Sequence, residues 1–276
     1  MNGTSVAVEP GRGGLMIRGW VIAYVAMLIV IPLLALIVRG LTGGPSQLWA
    51  AITTPVALNA LILTLWTAGA ISIINAVMGT ATAWVLVRYQ FPGRTILSAL
   101  VDLPFAIPTL VTGVMLVILF GPQSLMGKWL AGHGMKVAFA SPSILLALMF
   151  ISLPFVVRAV EPVLMEQDPA EEEAARTLGA GPLTTFVRVL LPPIVPAILS
   201  GTIQSFARAL GEFGSIVVVS GNIPYRTLTS PVYLFGEIES GRSDIAAAVS
   251  ILLLVIALGL NFAERGIRRL MGMNRA

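Results

Sequence analysis

The sequence contains no cysteine, and its only histidine is His133. These absences exclude disulfide frameworks, thiol nucleophiles and zinc sites built from cysteine and histidine. Charged residues are also scarce, at 11% of the 276 residues, whereas soluble proteins carry about 25%. The chain therefore has too little polar surface to cover a water-soluble globule.

Long apolar segments are what the sequence has instead. Hydrophobic residues make up 57% of the chain, and the mean hydropathy is +0.92. A helix needs about 20 apolar residues to cross the hydrocarbon core of a membrane. We predict an all-α, polytopic membrane protein with six transmembrane helices, the third of them bent by Pro104 and Pro108. The predicted spans are 20–38, 57–87, 103–121, 142–157, 192–219 and 245–262.

The distribution of basic residues predicts how these spans are oriented. The first span is longer than the h-region of a signal peptide, which has about 7–15 apolar residues, and no clear small-residue cleavage site follows it. We therefore expect it to be retained. With both termini inside, the inner segments hold eleven arginines and the outer segments hold five lysines or arginines. Because basic residues favour the cytoplasmic side, we predict a multi-pass membrane protein with both termini cytoplasmic.

The segment 166–192 differs from the other connections because it carries the signals of a short capped helix. Asp168 can accept hydrogen bonds as the N-cap, Pro169 suits the first helical position, and Glu171 stands three residues after the cap. Gly179 can supply the left-handed residue that ends a helix. These four signals predict a short helix between residues 168 and 179.

A second short helix is predicted after the glycine-rich turn. Pro182 opens the stretch 183–191, and Pro192 with Pro193 is expected to stop it. Two short helices around a turn at the membrane surface would form a compact protrusion that fits a socket on a cytosolic partner. The alternative is a solvated, well-capped connector without a partner.

Seven residues of this segment share a fixed spacing: Glu173, Ala174, Ala175, Gly179, Val189, Leu191 and Pro192. This pattern resembles the EAA loop of ABC importer permeases. Only Val189 departs from the family pattern, in which isoleucine is more usual. The resemblance implies a fold like that of type I ABC importer permeases, and a loop that couples the permease to an ATPase.

Four further segments resemble one branch of that family, the sulfate/thiosulfate permeases, and the T-type subunit more than the W-type: 88–94, 102–109, 154–158 and 208–214. The likeness covers about residues 20–262. It implies three parts: a cytoplasmic N-terminal segment (1–19), a transmembrane domain (20–263) and a basic cytoplasmic tail (264–276).

The resemblance also implies a complex in the bacterial inner membrane, in which this chain is not an enzyme and holds no cofactor. An ABC ATPase dimer on the cytoplasmic side would bind ATP and Mg²⁺, and a second permease subunit, a W-type paralogue, would complete the pore. An external sulfate-binding protein would deliver the anion, membrane lipid would surround the spans, and no nucleic acid would take part. One segment, 121–129, looks like a phosphate-binding loop. It has one residue too many between its glycines, and Trp129 stands where Ser or Thr would hold Mg²⁺.

Two ionisable residues lie inside the fifth predicted span. Arg208 and Glu212 are four residues apart and thus on one helix face, and charges at membrane depth usually face protein or water. With Thr109, which follows Pro108 in the third span, they form a candidate anion pathway. The alternative is a structural ion pair. For Asp102, which precedes two prolines, we expect a helix-capping role, and the alternative is contact with the substrate.

Three other functions are alternatives to a sulfate permease, and the sequence offers each of them different support. A permease for another oxyanion, molybdate or phosphate, would have the same loop. A stand-alone secondary transporter or channel would need a coupling site within the membrane, for which Glu212 is a lone candidate. An intramembrane enzyme would need a nucleophile and base, or metal ligands, at membrane depth, and the sequence offers no such set.

Overall fold

The structure is a computed structural model that describes residues 12–270, and the regular elements among them are all helical. The predicted cytoplasmic segments 1–19 and 264–276 lie partly outside the described residues. The first part of the chain forms α1 (Arg12–Val25), a π-helical turn (Ala26–Val30), α2 (Ile31–Leu41), α3 (Gly44–Ile52) and α4 (Pro55–Arg88). The middle part forms α5 (Arg94–Ala106), α6 (Thr109–Phe120), α7 (Leu125–Gly132), α8 (Ser141–Glu166) and α9 (Pro169–Thr177). The last part forms α10 (Pro182–Thr185), a second π-helical turn (Phe186–Leu190), α11 (Leu191–Leu210), α12 (Gly214–Val219), α13 (Ser230–Glu239) and α14 (Ser243–Leu270).

Three long helices, α4, α8 and α11, form the core of the bundle. The helix α4 runs for 34 residues with no proline after its first position, so its backbone hydrogen-bond ladder is uninterrupted. Its buried face carries small residues, which let neighbouring helices approach closely. At Gly79, for example, an added Cβ would lie 2.8 Å from the Cβ of Val156 on α8.

A buried amide ties the three core helices together. Asn75 on α4 donates to Ser152 Oγ of α8 at 2.8 Å and to Ser205 Oγ of α11 at 3.2 Å. All three residues are fully buried. Because a polar group without a partner is costly in an apolar interior, these bonds favour one register of the three helices over any other.

The bundle has two ends, which we call the EAA end and the far end. The EAA end holds the last turn of α4 and the segment 166–192, because Arg88 contacts Glu172. The far end holds the first turn of α8 and the last turn of α12, because the Ser143 hydroxyl donates to the Val219 carbonyl at 2.9 Å.

Five helical segments are long and apolar enough to cross a membrane: Met16–Leu41, Pro55–Arg88, Ser141–Glu166, Pro182–Leu210 and Ser243–Gly266. Four of these contain a predicted span and extend it at both ends, because helices continue into residues that carry little hydropathy signal. The bundle therefore confirms the predicted all-helical, polytopic architecture, while it changes the third and fifth spans.

The third predicted span is a broken helix. The helices α5 and α6 are bent by 114° relative to each other. The break lies at Ile107 and Pro108, whereas α5 continues through Pro104. Proline has no N–H and cannot continue the hydrogen-bond ladder of α5, so Pro108 becomes the N-cap of α6. The first half also begins at Arg94, well before the predicted start at residue 103.

The fifth predicted span, 192–219, is wrong at both boundaries. Its helix runs from Pro182 to Leu210. The residues that were expected to complete the span form the separate short helix α12. The helix α11 ends at Gly211, whose backbone is not helical.

The expectation that Pro192 and Pro193 stop a helix is also wrong. They lie at the start of α11, directly after the π-helical turn Phe186–Leu190. A proline ring clashes with the carbonyl four residues earlier in a regular α-helix. The wider π-helical turn relieves that clash, so the helix continues through both prolines.

Candidate functional site

At the start of segment 166–192 the structure confirms the predicted roles of Asp168 and Pro169 but records no capping-box hydrogen bond from the Glu171 side chain. The Asp168 carboxylate accepts a hydrogen bond from the Ala170 backbone N–H at 2.9 Å. Pro169 follows as the first residue of α9. The carboxylate satisfies one of the backbone donors that every helix leaves unpaired at its N-terminus.

The end of α9 is also closed locally. Gly179 has φ +87°, a conformation that costs glycine little and other residues more. The Gly179 N–H donates to the Arg176 carbonyl at 2.9 Å, and the Ala180 N–H donates to the Ala175 carbonyl at 3.0 Å. This is the Schellman arrangement, so both ends of α9 are set by nearby residues.

A buried ion pair fixes α9 against the bundle. Glu172 Oε1 lies 2.6 Å from Arg88 Nε at the end of α4, and Oε2 lies 3.4 Å from Arg176 one turn along α9. The side chains of Arg88 and Glu172 are 14% and 9% exposed. Arg88 also donates to the Gln167 carbonyl at 3.4 Å. An ion pair and a hydrogen bond to the backbone therefore hold the base of segment 166–192, which we call the EAA segment, on α4.

Sequence reasoning missed this pair. Glu172 is the middle one of three consecutive glutamates, and the helix dipole explains all three equally well. Helical periodicity is the signal that could have distinguished Glu172 from the two glutamates beside it. Glu172 shares one face of α9 with Ala175, three residues later, and these two side chains are buried and half-buried.

Aromatic packing holds the second half of the segment on the same helix. The rings of Trp84 on α4 and Phe186 lie 5.3 Å apart. The Gln167 side chain donates to the Leu190 carbonyl at 3.4 Å, which joins the two halves of the segment. The segment therefore contacts α4 at two places and is linked to itself across its base.

The predicted coupling residues are spread over this anchored segment, from Glu173 on α9 to Pro192 at the start of α11, where Leu191 packs against the core. Those that are exposed are Glu173, Ala174, Gly179 and Pro192, and those that are half-buried are Ala175, Val189 and Leu191. Two large apolar side chains project beside them, with Leu178 87% and Leu183 76% exposed. Apolar side chains that project from a polar loop are typical of a contact surface for another protein.

The pair Arg208 and Glu212 lies at the break between α11 and α12. Arg208 Nη2 is 2.7 Å from Glu212 Oε2. The other carboxylate oxygen accepts hydrogen bonds from the backbone N–H and the hydroxyl of Ser215, each at 2.9 Å. Glu212 is 1% exposed, whereas the Arg208 side chain is 30% exposed. The carboxylate thus closes the break, and the guanidinium is the part of the pair that reaches an accessible surface.

Thr109 lies beside the same break, against the start of the helix α12 that Glu212 caps. The first residue of α12, Gly214, has no room for a side chain against Thr109. Farther along, a Cβ on Gly113 of α6 would lie 2.6 Å from the Ser215 carbonyl oxygen. The two helices that follow the breaks, α6 and α12, therefore pack backbone against backbone.

Asp102 is not the helix cap that the sequence suggested. It lies inside α5, which continues past it to Ala106, and Arg158 Nε of α8 donates to its Oδ1 at 2.7 Å. Arg158 also donates to the Ser98 hydroxyl at 3.0 Å and pairs with Glu161. The prediction was wrong because the partner comes from a helix distant in sequence, and the cluster instead joins α5 to α8.

Comparison with known proteins places these features in a family context. The family described as "Binding-protein-dependent transport system inner membrane component" matches residues 75–270. The "Sulfate transport system permease protein CysT" of Escherichia coli is 41% identical over 245 residues, covering 89% of this chain and 88% of that protein. The "Probable sulfate transport system permease protein cysT" of Nephroselmis olivacea is 41% identical over 259 residues, covering 92% and 91%.

Solved structures share the fold at lower identity. A chain of a bacterial alginate ABC transporter, crystallised with an alginate pentasaccharide-bound periplasmic protein, has a TM-score of 0.77 at 21% identity, covering 94% of this chain and 96% of that one. A chain of the methionine ABC transporter MetNI in an inward-facing conformation has a TM-score of 0.57 at 20% identity, covering 76% and 95%. At these identities the likeness concerns the fold alone.

Proposed function

Because the chain belongs to the family of binding-protein-dependent transport system inner membrane components, we propose that it translocates sulfate as one permease subunit of an ATP-driven importer. The chain is a multi-pass membrane subunit and not an ATPase, and ATP is bound by the partner ATPase subunits. The observation that carries the assignment of sulfate is 41% identity to a sulfate transport permease over 245 residues.

We propose that segment 166–192 is the loop that receives force from the ATPase dimer. Its support is mechanical. The tip is exposed, whereas the base is bound to α4 through Arg88 and Glu172. A force applied at α9 would therefore move α4 as well, and the Asn75 contacts would carry the movement to α8 and α11.

The orientation and the remaining partners belong to the same proposal. If segment 166–192 meets a cytosolic ATPase, the EAA end is cytoplasmic and the far end faces the external sulfate-binding protein. The basic residues of the inner segments support this orientation. A W-type paralogue would be the second permease subunit, and residues 20–263 would form the transmembrane domain of this one.

The anion pathway is proposed to pass the two helix breaks. Arg208 would attract the dianion through its partly exposed guanidinium, and Thr109 would line the same place on α6. Glu212 would limit the affinity by pairing with Arg208 and so keep the site from holding the anion too tightly. The support is that the two breaks meet, with Thr109 packed against the start of α12.

Reconstituted transport tests the function. The chain, its partner permease and the ATPase subunits are placed in proteoliposomes, and uptake of labelled sulfate is measured with and without ATP and the binding protein. We expect uptake that requires both. Uptake without any ATPase would contradict the proposal. Uptake of molybdate or phosphate in preference to sulfate would contradict the assignment of sulfate as the substrate.

An arginine replacement tests the pathway within that assay. Arg208→Gln should abolish sulfate uptake while the complex still assembles, because the variant keeps a long polar side chain but removes the charge. Arg226→Gln is the matched control, since Arg226 is an exposed arginine at the far end. Normal uptake by Arg208→Gln would remove Arg208 from the pathway.

A further inference from the structure

A cavity of about 300 Å³ lies at the far end, between the turn that joins α6 to α7 and the segment that leads into α8. Known ligand pockets begin at about 300 Å³, so this cavity suits a small ligand. The residues that line it include the apolar Phe120 and Phe139 and two exposed lysines, Lys128 and Lys136. We call it the lysine pocket.

Its charge is unusual for this sequence. Lys128 and Lys136 are the only two lysines of the chain, whose other basic residues are arginines. No acidic residue is among those that line the cavity. Within residues 12–270, the ion pairs recorded include neither lysine. The like charges of two lysines at one cavity repel each other, and a bound anion would reduce that repulsion.

The walls of the pocket are held in place by specific contacts. Ser124 caps α7 by accepting the Gly127 N–H at 2.8 Å and donates to the Leu119 carbonyl at 2.8 Å. The backbone at Gly127 packs so closely on Gly121 that no side chain would fit. Lys128, the next residue, therefore projects from a fixed turn. This segment is the one that resembled a phosphate-binding loop, and Ser124 serves here as a cap.

The opposite wall contains a strained residue. Phe139 has φ +60°, which is uncommon for an aromatic side chain and costs free energy unless the surroundings impose it. Its N–H donates to the Val219 carbonyl at the end of α12, at 2.8 Å. The wall that carries Lys136 and Phe139 is thus fixed to α12.

The position of the pocket relates it to the helix breaks. Phe120, at the end of α6, lines the cavity, and Val219, at the end of α12, holds its wall. The other ends of these two helices carry Thr109 and the cap from Glu212. The pocket therefore lies at one end of α6 and α12, and the helix breaks lie at the other end of the same two helices.

We propose that the lysine pocket binds a small tetrahedral oxyanion, a sulfate or phosphate group, between the ammonium groups of Lys128 and Lys136. Two sources share this chemistry: a free dianion that enters from the far end, or the phosphate of an anionic lipid. The free-dianion form rests on the proposed function, since it makes the pocket a first binding site on the pathway. The lipid form is independent of it.

The lysine count makes the pocket directly observable. Reductive ¹³C-methylation keeps the positive charge and labels Lys128, Lys136 and the terminal amine. The full chain in nanodiscs of neutral phosphatidylcholine is titrated with sodium sulfate, and ¹³C chemical shifts are recorded against sodium chloride at equal ionic strength. We expect a saturable shift of both lysine signals with sulfate that chloride does not reproduce and that weakens as salt is added.

Single replacements test whether both lysines take part. Lys128→Gln leaves Lys136 as the reporter, and Lys136→Gln leaves Lys128. Each should weaken sulfate binding about tenfold or more, because a hydrogen bond to a charged group is lost. Arg226→Gln, which removes an exposed charge at the same end but outside the pocket lining, should leave the binding constant unchanged.

The lipid source has its own arm. Nanodiscs that contain phosphatidylglycerol are compared with neutral nanodiscs in the absence of sulfate. A shift of both lysine signals with phosphatidylglycerol, lost in the single variants, supports the pocket as a lipid phosphate site. If neither sulfate nor phosphatidylglycerol shifts the signals beyond the chloride control, the proposal is overturned. A shift that occurs only with the sulfate-binding protein also overturns it and makes the two lysines part of a protein contact.

Transport separates this proposal from the proposed function. The double variant carries both Lys128→Gln and Lys136→Gln. The free-dianion form stands if wild-type complexes import sulfate with ATP and the double variant needs about tenfold more sulfate for half-maximal uptake. If wild-type uptake fails while sulfate still shifts the lysine signals, the proposed function is lost and the pocket remains. If uptake is normal in the double variant and sulfate leaves the signals unchanged, the free-dianion form fails.

Discussion

Two buried glutamates form ion pairs with arginines in different ways. Glu172 pairs at 2.6 Å with Arg88, which comes from another helix. Glu212 pairs at 2.7 Å with Arg208, four residues before it, and caps the next helix with its second oxygen. The first pair positions a whole segment, and the second closes a break in one segment. The role of a buried charge is therefore set by the elements that its bonds connect.

This difference has a mechanical consequence. The EAA segment cannot move away from α4 without exposing or breaking a largely buried ion pair, which is costly. The bonds of Glu212 all end within residues 208–215, so they join α11 to α12 and attach neither helix to another part of the bundle. The pair of Arg88 and Glu172 therefore couples two distant parts of the chain, whereas the pair of Arg208 and Glu212 closes a break locally.

The largest effect is expected when the first pair is broken. Glu172→Ala leaves Arg88 buried without its partner, and losing one member of a buried pair costs about 3–5 kcal/mol. We expect a lower unfolding temperature and a drop in ATP-driven uptake of about tenfold or more. The control is Glu171→Ala, an exposed neighbour on α9. Equal losses in both variants would show that the anchor is not what matters.

A somewhat smaller effect is expected at the second pair. Glu212→Ala removes both the partner of Arg208 and the cap of α12, which we expect to cost about 2–3 kcal/mol because Arg208 retains access to solvent. Glu212→Gln should cost less, since its amide oxygen can still accept from Ser215. Thermal unfolding of the two purified variants measures the difference. A Gln variant as unstable as the Ala variant would contradict the capping role.

The packing of the helices after the breaks can be tested with a single methyl group. Gly113→Ala would place a Cβ against the Ser215 carbonyl and should destabilise the protein by about 1–3 kcal/mol through overpacking. Gly132→Ala is the matched control, since nothing lies within 4 Å of its added Cβ. If unfolding measurements gave the same stability for both variants, the close packing of α6 on α12 at Gly113 would be contradicted.

The smallest effect concerns the cap of α9, because the buried pair already holds that helix. Asp168→Ala should cost about 1 kcal/mol, whereas Asp168→Asn should cost little, since asparagine is an equally good N-cap. The measurement is a denaturant titration of each variant beside wild type. A loss from Asp168→Ala as large as that from Glu172→Ala would reverse the proposed order of local and tertiary anchoring.

Local signals predicted the parts of the molecule that local bonds determine. The cap at Asp168 and the left-handed Gly179 follow from residue types and spacing, and so does the break at Pro108. The anchor between Arg88 and Glu172 does not, because two helices distant in the sequence must pack before these side chains meet. Asp102 was misjudged for the same reason, since its partner is on α8.

The error at Pro192 and Pro193 has another origin. Proline stops a helix when the turn before it is regular, and the sequence gives no sign that the turn Phe186–Leu190 is π-helical. The start of the fifth membrane span was therefore predicted ten residues too late, at residue 192 and not at Pro182. Its end was predicted too late because apolar residues continue across the break at Gly211 into α12.

The absence of cysteine allows the central claim to be tested directly. A single cysteine at Leu178, which is 87% exposed on the EAA segment, and one at Leu125, which is 90% exposed on α7, are compared for thiol cross-linking to the ATPase in native membranes. The account predicts that Leu178→Cys forms a cross-linked product with the ATPase and that Leu125→Cys does not. No product from Leu178→Cys, or labelling of that thiol from the outer side of the membrane, would contradict it.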